Sequence, residues 1–309
     1  MLNLKHVIDA RQFDPAMMEE IFFSADLLAK GKGRYQRKTL REQRMAILFY
    51  QPSLRTRFSH SLAAKLLGAC VVESENAREF SSAAKGESLE DTIQVLGRMF
   101  DLIVLRHYEA GAAKRAADLE IVPIINAGDG PGQHPTQALL DVWTIKKALG
   151  TINGLRIAMV GDLLNGRTVR SLCYLLGKYK DVEIVFVSPL QTAMKQDVKD
   201  YLTEKGVRFS ETESLESLLP SKVDVIYQTR IQKEWFADQP EVYERILGCY
   251  IINRPFMDQL GQGVSIMHPL PRVGEITPDI DNDPRAIYFQ QAENGLYIRM
   301  ALMKILLHV

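Results

Sequence analysis

Two hydroxyl groups and two guanidinium groups crowd the predicted start of a helix. An apolar run of strand length at 45–50 meets a Pro-Ser turn, and residues 58–67 carry leucines at helical spacing. Unpaired N–H groups and the helix dipole favour an anion at such a start, and guanidinium groups match phosphate geometry. An ordinary strand-to-helix turn, with Ser53 as N-cap and solvated arginines, is the alternative. The four side chains are Ser53, Arg55, Thr56 and Arg57.

Further arginines and histidines follow apolar runs elsewhere in the chain, within a few residues of a predicted strand end. Parallel strands share one edge of a sheet at their carboxyl ends, and α/β proteins bind ligands there. Several arginines with a histidine would form a cleft that holds several negative charges, whereas independent capping or surface roles are the alternative. In chain order these residues are Arg106, His134, Arg167, Arg230, His268 and Arg272.

The elements that position these side chains alternate between strands and helices in two successive series, and the pattern restarts after 150–154. This alternation predicts an α/β fold with two doubly wound parallel sheets. The predicted strands are 45–50, 69–73, 101–106, 122–127, 155–160, 182–187, 207–210, 223–228 and 264–267. The predicted helices are 14–31, 58–67, 88–100, 135–149, 167–179, 192–205, 215–219 and 292–307.

Apolar spacing also predicts which side chains are buried. The helix at 14–31 should bury one face, and the helix after Ser53 should carry its leucines on one side. Two of the cysteines lie in apolar surroundings and are expected to be small core residues. The residues expected to be buried are Met17, Ile21, Leu27, Leu28, Cys70 and Cys173, and the leucines expected on one side of the second helix are Leu62, Leu66 and Leu67.

Composition bounds the class of protein. The chain has 309 residues, of which 46% are hydrophobic and 25% charged, so a large core and two domains are expected. Lysine plus arginine equals aspartate plus glutamate at 38 each, which argues against a general nucleic-acid or membrane-surface binder. Three scattered cysteines form neither a disulfide framework nor a zinc pattern. With no membrane-length apolar run and no signal-peptide pattern at the start, the expected location is the cytoplasm.

No cofactor and no metal is predicted. The turn from Gly161 to Gly166 stands where a dinucleotide fingerprint would, but its glycine spacing is wrong, so it serves to place Arg167 at a helix start. The P-loop, His-Glu-x-x-His and Gly-x-Ser-x-Gly motifs are also absent from the sequence. His134 follows a glycine-rich loop and could either cap a helix or donate to a carbonyl oxygen on which charge develops.

Seven motifs in order resemble the catalytic chains of aspartate carbamoyltransferases, in the aspartate/ornithine carbamoyltransferase superfamily, over nearly the whole length. The resemblance rests on Ser-x-Arg-Thr-Arg, Lys-Gly-Glu-Ser-x-x-Asp-Thr, Arg-His, His-Pro-Thr-Gln, Gly-Arg-Thr-x-x-Ser, Thr-Arg-x-Gln-Lys-Glu and His-Pro-Leu-Pro-Arg. The last two favour aspartate as the acceptor. Relatives that use ornithine usually carry a cysteine in the last motif and a Ser-Met-Gly loop nearby, and this chain has neither.

The resemblance implies a role for each matching residue. Arg55, Thr56, Arg106 and His134 would be catalytic. The phosphate and carbamoyl groups of carbamoyl phosphate would be bound by Ser53, Arg55, Thr56, Arg106, His134, Gln137, Leu270 and Pro271. Aspartate would be bound by Lys85, Arg167, Thr168, Arg230 and Gln232. A loop with Ser81 and Lys85 would reach these sites from a neighbouring subunit.

The resemblance also implies an organisation. Residues 1–134 plus 292–309 would bind carbamoyl phosphate and residues 135–291 would bind aspartate, with the cleft between them and the last helix crossing back to the first domain. The chain would form a homotrimer with shared active sites and act in pyrimidine biosynthesis. A larger assembly with regulatory or dihydroorotase-like chains is left open.

Several positions depart from the usual family pattern. Gln51 replaces an acid, Leu54 a hydroxyl residue, and His60-Ser61 a Phe-Glu pair. Ala84 stands where some members have a lysine, and Trp235 where the enterobacterial type has an arginine. We expect the losses at 51 and 235 to be matched, so that domain closure rests on other contacts. A carbamoyltransferase with another acceptor, or a weakly active or non-catalytic assembly module, is the alternative function.

Overall fold

The computed structural model describes residues 2, 4–31, 39–231, 236 and 240–309. The chain divides into two compact units. Unit 1 comprises Met1–Leu140 with Glu293–Val309, and unit 2 comprises Asp141–Ala292. Each unit is built on one parallel sheet.

Unit 1 has a four-stranded parallel sheet in the order β2-β1-β3-β4. The chain leaves β1 towards one edge and returns to β3 on its other side, so a topological switch point lies between these two strands. The strands are β1 Arg44–Phe49, β2 Cys70–Glu75, β3 Leu102–His107 and β4 Ile124–Asp129. The helices are α1 Pro15–Lys30, α2 Leu54–Leu66, α3 Ala77–Phe80, α4 Leu89–Leu96, α5 Ala112–Asp118 and α6 Pro135–Leu149, the last of which continues into unit 2.

Unit 2 has a five-stranded parallel sheet in the order β7-β6-β5-β8-β9, with its switch point between β5 and β8. Its strands are β5 Arg156–Val160, β6 Glu183–Val187, β7 Arg208–Thr212, β8 Val225–Gln228 and β9 Ser265–Met267. Its helices are α7 Arg167–Leu176, α8 Gln196–Glu204, α9 Pro240–Leu247, α10 Arg254–Gln259 and α11 Tyr288–Leu306, the last of which continues into unit 1.

The prediction of two doubly wound parallel sheets is confirmed, and each predicted strand is found to within two residues at either end. Two predicted helix starts are explained by their caps. The Asp14 carboxylate accepts from the N–H of Met17 at 2.8 Å, and the Ser88 hydroxyl accepts from the N–H of Asp91 at 3.0 Å. These bonds satisfy donors that the first turn of a helix leaves without partners.

The extents of several helices were predicted wrongly. α4 stops at Leu96 instead of about residue 100, and α7 stops at Leu176 instead of 179, because Gly97 and Gly177 follow and close the last turns. The predicted helix at 192–205 is a 3₁₀ turn at Leu190–Thr192 followed by α8, and α11 begins four residues before 292. α5 was missed, since its buried face consists of alanines and carries no large apolar periodicity.

Two side chains expected to be buried, Leu27 and Cys70, are exposed, and so is Leu62 on the leucine side of α2. Leu27 is 56% exposed because α1 buries the stripe that includes Met18, Ile21 and Leu28. Leu62 is 48% exposed because α2 turns its small and polar residues inward instead. Cys70 is exposed at the start of the edge strand β2, whereas Cys173 is buried as predicted. In the part of the chain that the structure describes, every helix is too short or too polar to cross a membrane.

Gly161 shows why the strand β5 can turn sharply at its carboxyl end. Its φ is +109°, and a Cβ atom there would lie 2.2 Å from the backbone oxygen of Thr229. Gly206 also has a positive φ, +71°, but a Cβ atom there would meet nothing within 4 Å. A side chain at Gly161 would therefore suffer both backbone strain and a steric conflict, whereas a side chain at Gly206 would suffer backbone strain alone.

We predict that Gly161→Ala lowers the midpoint of thermal unfolding at least twice as much as Gly206→Ala. Gly206→Ala should lower the free energy of unfolding by about 1–2 kcal/mol, because alanine is strained in the left-handed conformation. Gly161→Ala should lower it further, because the new Cβ atom must also displace the Thr229 backbone. Calorimetry on both variants measures the difference. Equal shifts would contradict the steric explanation.

Candidate active site

The start of α2 lies at the switch point of the unit 1 sheet. Ser53 is the N-cap residue, and its hydroxyl makes no hydrogen bond to the N–H groups of the first turn. The N–H of Tyr50 donates to the backbone oxygen of Arg106 at 2.8 Å, which holds the end of β1 against β3. The helix start predicted to bind an anion is therefore beside Arg106.

The two arginines of this first turn have different surroundings. Arg57 pairs with Glu73 at 3.2 Å and with Glu75 at 2.8 Å, and its side chain is only 15% exposed. Arg55 is an exposed residue and has no ion pair with any residue that the structure describes. Loss of part of the water around its guanidinium group lowers its pKa. Residues two apart on a helix point in different directions. Arg57 is thus paired with two carboxylates of β2, whereas Arg55 is the guanidinium group of this turn that has no such partner among the described residues.

Thr56, Arg106 and His134 are all buried. A guanidinium nitrogen of Arg106 donates to the backbone oxygen of Ala127 at 3.1 Å, which directs this side chain along the sheet edge towards β4. The Nδ1 atom of His134 lies 3.4 Å from the hydroxyl of Thr136. These side chains follow the carboxyl ends of neighbouring strands in one sheet, as predicted.

The loop that leads to His134 is organised by Asp129. Its carboxylate accepts from the N–H of Gly111 and from the N–H of Gln133, each at 2.8 Å. Gly130 has a φ of +49°, and a Cβ atom there would lie 2.3 Å from the backbone oxygen of Tyr108. The glycine-rich lead-in therefore permits close packing of the loop itself.

The remaining predicted residues of unit 1 lie at the ends of helical segments, two at a start and one at a finish. Gln137 is half-buried in the first turn of α6, and its N–H donates to the oxygen of His134 at 3.0 Å. Ser81 caps the 3₁₀ turn Ser82–Lys85, accepting from the N–H of Ala83 at 3.1 Å. Lys85 ends that turn and is exposed.

Sequence reasoning noted His60 only as a departure, but the structure buries it fully behind the first turn of α2. Its Nδ1 atom lies 2.8 Å from the backbone oxygen of Thr56, and its Nε2 atom has no partner among the described residues. Burial lowers the pKa of His60 well below 6.5, and the charges of Arg299 and Arg106 add to this. The buried Oε1 atom of Gln51 likewise has no partner in the described part of the chain.

In unit 2, α7 begins at Arg167 directly after Gly166, which has no side chain to cap it. Arg167 and Arg230 are half-buried and follow β5 and β8, the strands on either side of the switch point. Thr168 hydrogen-bonds to the hydroxyl of Tyr227. Two further positions considered in the sequence, Gln232 and Trp235, lie outside the described residues.

The His-Pro-Leu-Pro-Arg motif follows β9. Leu270 and Pro271 form its turn, and Leu270 has a φ of +50°. Arg272 is held by both oxygens of Asp281 and by the Tyr288 hydroxyl at 3.0 Å. Like Arg57, Arg272 is therefore paired with a carboxylate of the fold, a partner that the sequence did not indicate. Among the described residues, no group of three or more histidines, cysteines or carboxylates is arranged to hold a metal ion.

The fold and the site define a chain that belongs to the aspartate/ornithine carbamoyltransferase family. Its carbamoyl-P binding domain matches residues 5–147, and its Asp/Orn binding domain matches residues 153–306.

Named relatives are similar over nearly the whole chain. Aspartate carbamoyltransferase, chloroplastic, of Oryza sativa subsp. japonica is 54% identical over 99% of this chain and 86% of its own length. The multifunctional protein pyr1-3 of Dictyostelium discoideum is 45% identical over 97% of this chain but only 13% of its own length.

Solved structures are similar in fold as well as in sequence. The catalytic subunit of the Methanocaldococcus jannaschii aspartate transcarbamoylase has a TM-score of 0.91 and 44% identity, covering 99% of this chain and 98% of that one. Aspartate transcarbamoylase from Trypanosoma cruzi, in complex with carbamoyl phosphate and aspartate, has a TM-score of 0.90 and 36% identity, covering 97% and 95%.

The prediction of a cytoplasmic location is wrong. The relatives from Oryza sativa and Arabidopsis thaliana, each 54% identical, are both named chloroplastic. The prediction used cysteine content and the lack of membrane or signal patterns. Cysteine content separates oxidising from reducing surroundings but does not separate one reducing compartment from another.

We predict that Arg55→Ala weakens the binding of inorganic phosphate about 10- to 100-fold, the cost of one charge-assisted hydrogen bond, with little change in thermal stability. Arg57→Ala should instead lower stability by about 1–3 kcal/mol, because Glu75 loses this ion pair and Glu73 keeps only Lys65 as a cationic partner. Calorimetric titration and thermal unfolding measure the two effects. Loss of phosphate binding by Arg57→Ala at unchanged stability would contradict the assignment.

Proposed function

We propose that the chain transfers the carbamoyl group of carbamoyl phosphate to the amino group of L-aspartate, giving N-carbamoyl-L-aspartate and phosphate, in pyrimidine biosynthesis. The observation that carries this proposal is the presence, at each sheet's switch point, of a helix start without a side-chain cap and with an arginine in its first turn. Two such starts suit two anionic substrates. The relatives named as aspartate carbamoyltransferases support the same reaction.

In unit 1, Ser53, Arg55, Thr56 and Arg106 would hold the phosphate of carbamoyl phosphate. Arg55 suits this role because no carboxylate among the described residues pairs with it. Donors from Thr56, Arg106 and His134 would polarise the carbonyl oxygen as charge develops on it. The carbamoyl amide would be fixed by Gln137 and by the backbone of Leu270 and Pro271.

In unit 2, the carboxylates of aspartate would be held by arginines, whose forked donors match carboxylate geometry. Arg167 stands at a helix start, where the dipole also favours an anion. The residues proposed to bind aspartate are Arg167, Thr168, Arg230 and Gln232, with Lys85 and Ser81 coming from a neighbouring subunit.

The reaction needs charge stabilisation and positioning. The aspartate amine attacks the carbamoyl carbon, a carbon–nitrogen bond forms, and the bond from that carbon to the phosphate oxygen breaks. The attacking nitrogen gives up one proton, which the leaving phosphate can accept. The leaving phosphate keeps the electron pair, and the guanidinium groups of Arg55 and Arg106 would neutralise its charge. Holding both substrates in place converts a bimolecular step into an effectively unimolecular one.

The division of labour along the chain is also a proposal. Residues 1–134 plus 292–309 would bind carbamoyl phosphate and residues 135–291 would bind aspartate. The compact units Met1–Leu140 with Glu293–Val309 and Asp141–Ala292 support this division. The order of the matched carbamoyl-P and Asp/Orn binding domains agrees with it, but the second match runs on to residue 306. A larger assembly is compatible with the Dictyostelium relative, which is named multifunctional and is much longer than this chain.

A homotrimer would account for an apolar surface of unit 1. Leu54, Phe58 and Leu62 lie four residues apart on α2 and are all about half exposed or more. Val72 on the edge strand β2 and Phe80 in α3 are also exposed, the latter at 78%. Large apolar surfaces on monomers are uncommon and mark interfaces. Phe80 directly precedes Ser81, so an interface here would carry the loop with Lys85 to a neighbour.

We predict that, in a panel of amino acids offered with carbamoyl phosphate, the protein releases phosphate fastest with L-aspartate. His134→Ala should lower kcat about 10²-fold through the loss of one oxyanion donor, whereas His308→Ala, at the exposed C-terminus, should not. Product analysis by mass spectrometry identifies N-carbamoyl-L-aspartate. A different preferred acceptor, or no turnover with any, would favour one of the alternative functions.

We further predict that mixing two inactive variants, Arg55→Ala and Lys85→Ala, restores activity. If each site uses Arg55 of one chain and Lys85 of its neighbour, random trimers contain roughly a quarter of intact sites. Activity after dissociation and reassociation of the mixture measures this recovery.

The apolar surface supplies the control for this experiment. Leu62→Glu in both chains should prevent recovery and leave monomers on sizing, because a buried unpaired charge opposes association. Recovery that persists without association, or no recovery in an intact oligomer, would argue against shared sites.

A further inference from the structure

The turn after β9 is held by a histidine and a glutamate that the proposed reaction does not use. His268 and Glu275 are both buried, and the Nε2 atom of His268 lies 2.8 Å from a Glu275 oxygen. The N–H of Leu270 donates to the Nδ1 atom of His268 at 2.7 Å. The other Glu275 oxygen accepts from the N–H of Val273 at 2.9 Å. The pair therefore ties both sides of the Leu270–Pro271 turn together.

The protonation of this pair follows from its donors. A backbone N–H can only donate, so Nδ1 of His268 must be an acceptor, and Nε2 then carries the proton that Glu275 receives as a hydrogen bond. Burial raises the pKa of Glu275, but the hydrogen bonds from His268 and Val273 outweigh it and hold the pKa below its usual value. Glu275 is thus an ionised carboxylate with two acceptor oxygens and two donors facing it.

The same pair is connected to the proposed aspartate site. The N–H of His268 donates to the side-chain oxygen of Gln291 at 2.9 Å, and Gln291 donates to Asp141 at 2.7 Å. The other oxygen of Asp141 accepts from the Tyr227 hydroxyl at 2.7 Å, and Tyr227 is bonded to Thr168. A network that is buried except for the half-buried Thr168 therefore runs within unit 2 from the start of α7 to the turn after β9.

We propose that His268 and Glu275 are positioning residues that hold the backbone of Leu270 and Pro271 where it meets the carbamoyl group. This inference rests on the proposed function, which assigns the carbamoyl contact to that turn. Leu270 has a left-handed backbone conformation that is costly for a side chain bearing a Cβ atom. Such a conformation needs support from its surroundings, and the bond from Leu270 to His268 supplies it.

Glutamine cannot replace Glu275 in this arrangement. Its amide has one acceptor and one donor group, whereas the site presents two donors. If the amide oxygen faces His268, its NH₂ group faces the N–H of Val273. If the oxygen faces Val273, the NH₂ group drives the proton of His268 to Nδ1, where it opposes the N–H of Leu270. Either orientation leaves two donors facing each other and loosens the turn.

The test is Glu275→Gln, with Asp283→Asn as a matched control. Both carboxylates have 6% exposed side chains, but Asp283 pairs with Arg254 and Arg285, away from the turn. We expect Glu275→Gln to lower kcat/KM for carbamoyl phosphate by about 10-fold or more, the usual range for residues that orient a ligand-binding group. The KM for aspartate should change less. Asp283→Asn should change both parameters less than about twofold at a comparable loss of thermal stability.

Substitutions of His268 provide an independent measurement if Glu275→Gln folds poorly. Asparagine keeps an acceptor for the N–H of Leu270 but cannot reach Glu275, whereas leucine removes both bonds. We expect His268→Asn to retain more carbamoyl phosphate turnover than His268→Leu. The double variant His268→Leu/Glu275→Gln should be no worse than the more impaired of the two single variants, since the two residues act as a unit.

The outcomes separate the two proposals. Wild-type turnover of carbamoyl phosphate and aspartate with unaffected Glu275→Gln kinetics would overturn the positioning role alone. Equal kinetic losses in Glu275→Gln and Asp283→Asn would also overturn it, since a general loss of stability would then suffice. Absence of wild-type turnover would overturn the proposed function itself.

Discussion

Both units depend on one constraint, which is that parallel strands bring their carboxyl ends to the same edge of a sheet. In unit 1 the chain leaves β1 and β3 in opposite directions, so the start of α2 and Arg106 face the opening between them. In unit 2 the strands β5 and β8 bring Arg167 and Arg230 to neighbouring positions in the same way. Residues far apart in sequence become neighbours through strand order alone.

The same constraint explains how much of the fold could be predicted. Buried parallel strands are short apolar runs, and their ends were found to within two residues. Helices were less predictable because their burial depends on which stripe meets the sheet. α5 buries only alanines, and α2 buries Thr56 and His60 while exposing Leu62. No periodicity in the sequence distinguishes a stripe that meets the sheet from one that can meet another chain.

The positions of the candidate site residues along the chain could be predicted, but the ion-pair partners of these residues could not. Arginines after strand ends were identified, yet the sequence did not indicate that Arg57 and Arg272 are neutralised. Their acidic partners belong to separate elements: Glu73 and Glu75 on β2, and Asp281 near a 3₁₀ turn. Glu275 was missed for the same reason, because its importance comes from bonds to His268 and Val273 that only the folded turn creates.

The buried side chain of His60 in α2 makes the stability of the fold depend on pH. The unfolded chain exposes the imidazole of His60, whose pKa is then near 6.5, whereas burial and two nearby guanidinium groups lower the pKa in the folded chain. Below about pH 6.5 the unfolded state therefore binds a proton that the folded state does not. By linkage, the free energy of unfolding falls as the pH drops through this range and recovers above it. Acidification thus destabilises the fold through the helix whose first turn is proposed to bind phosphate.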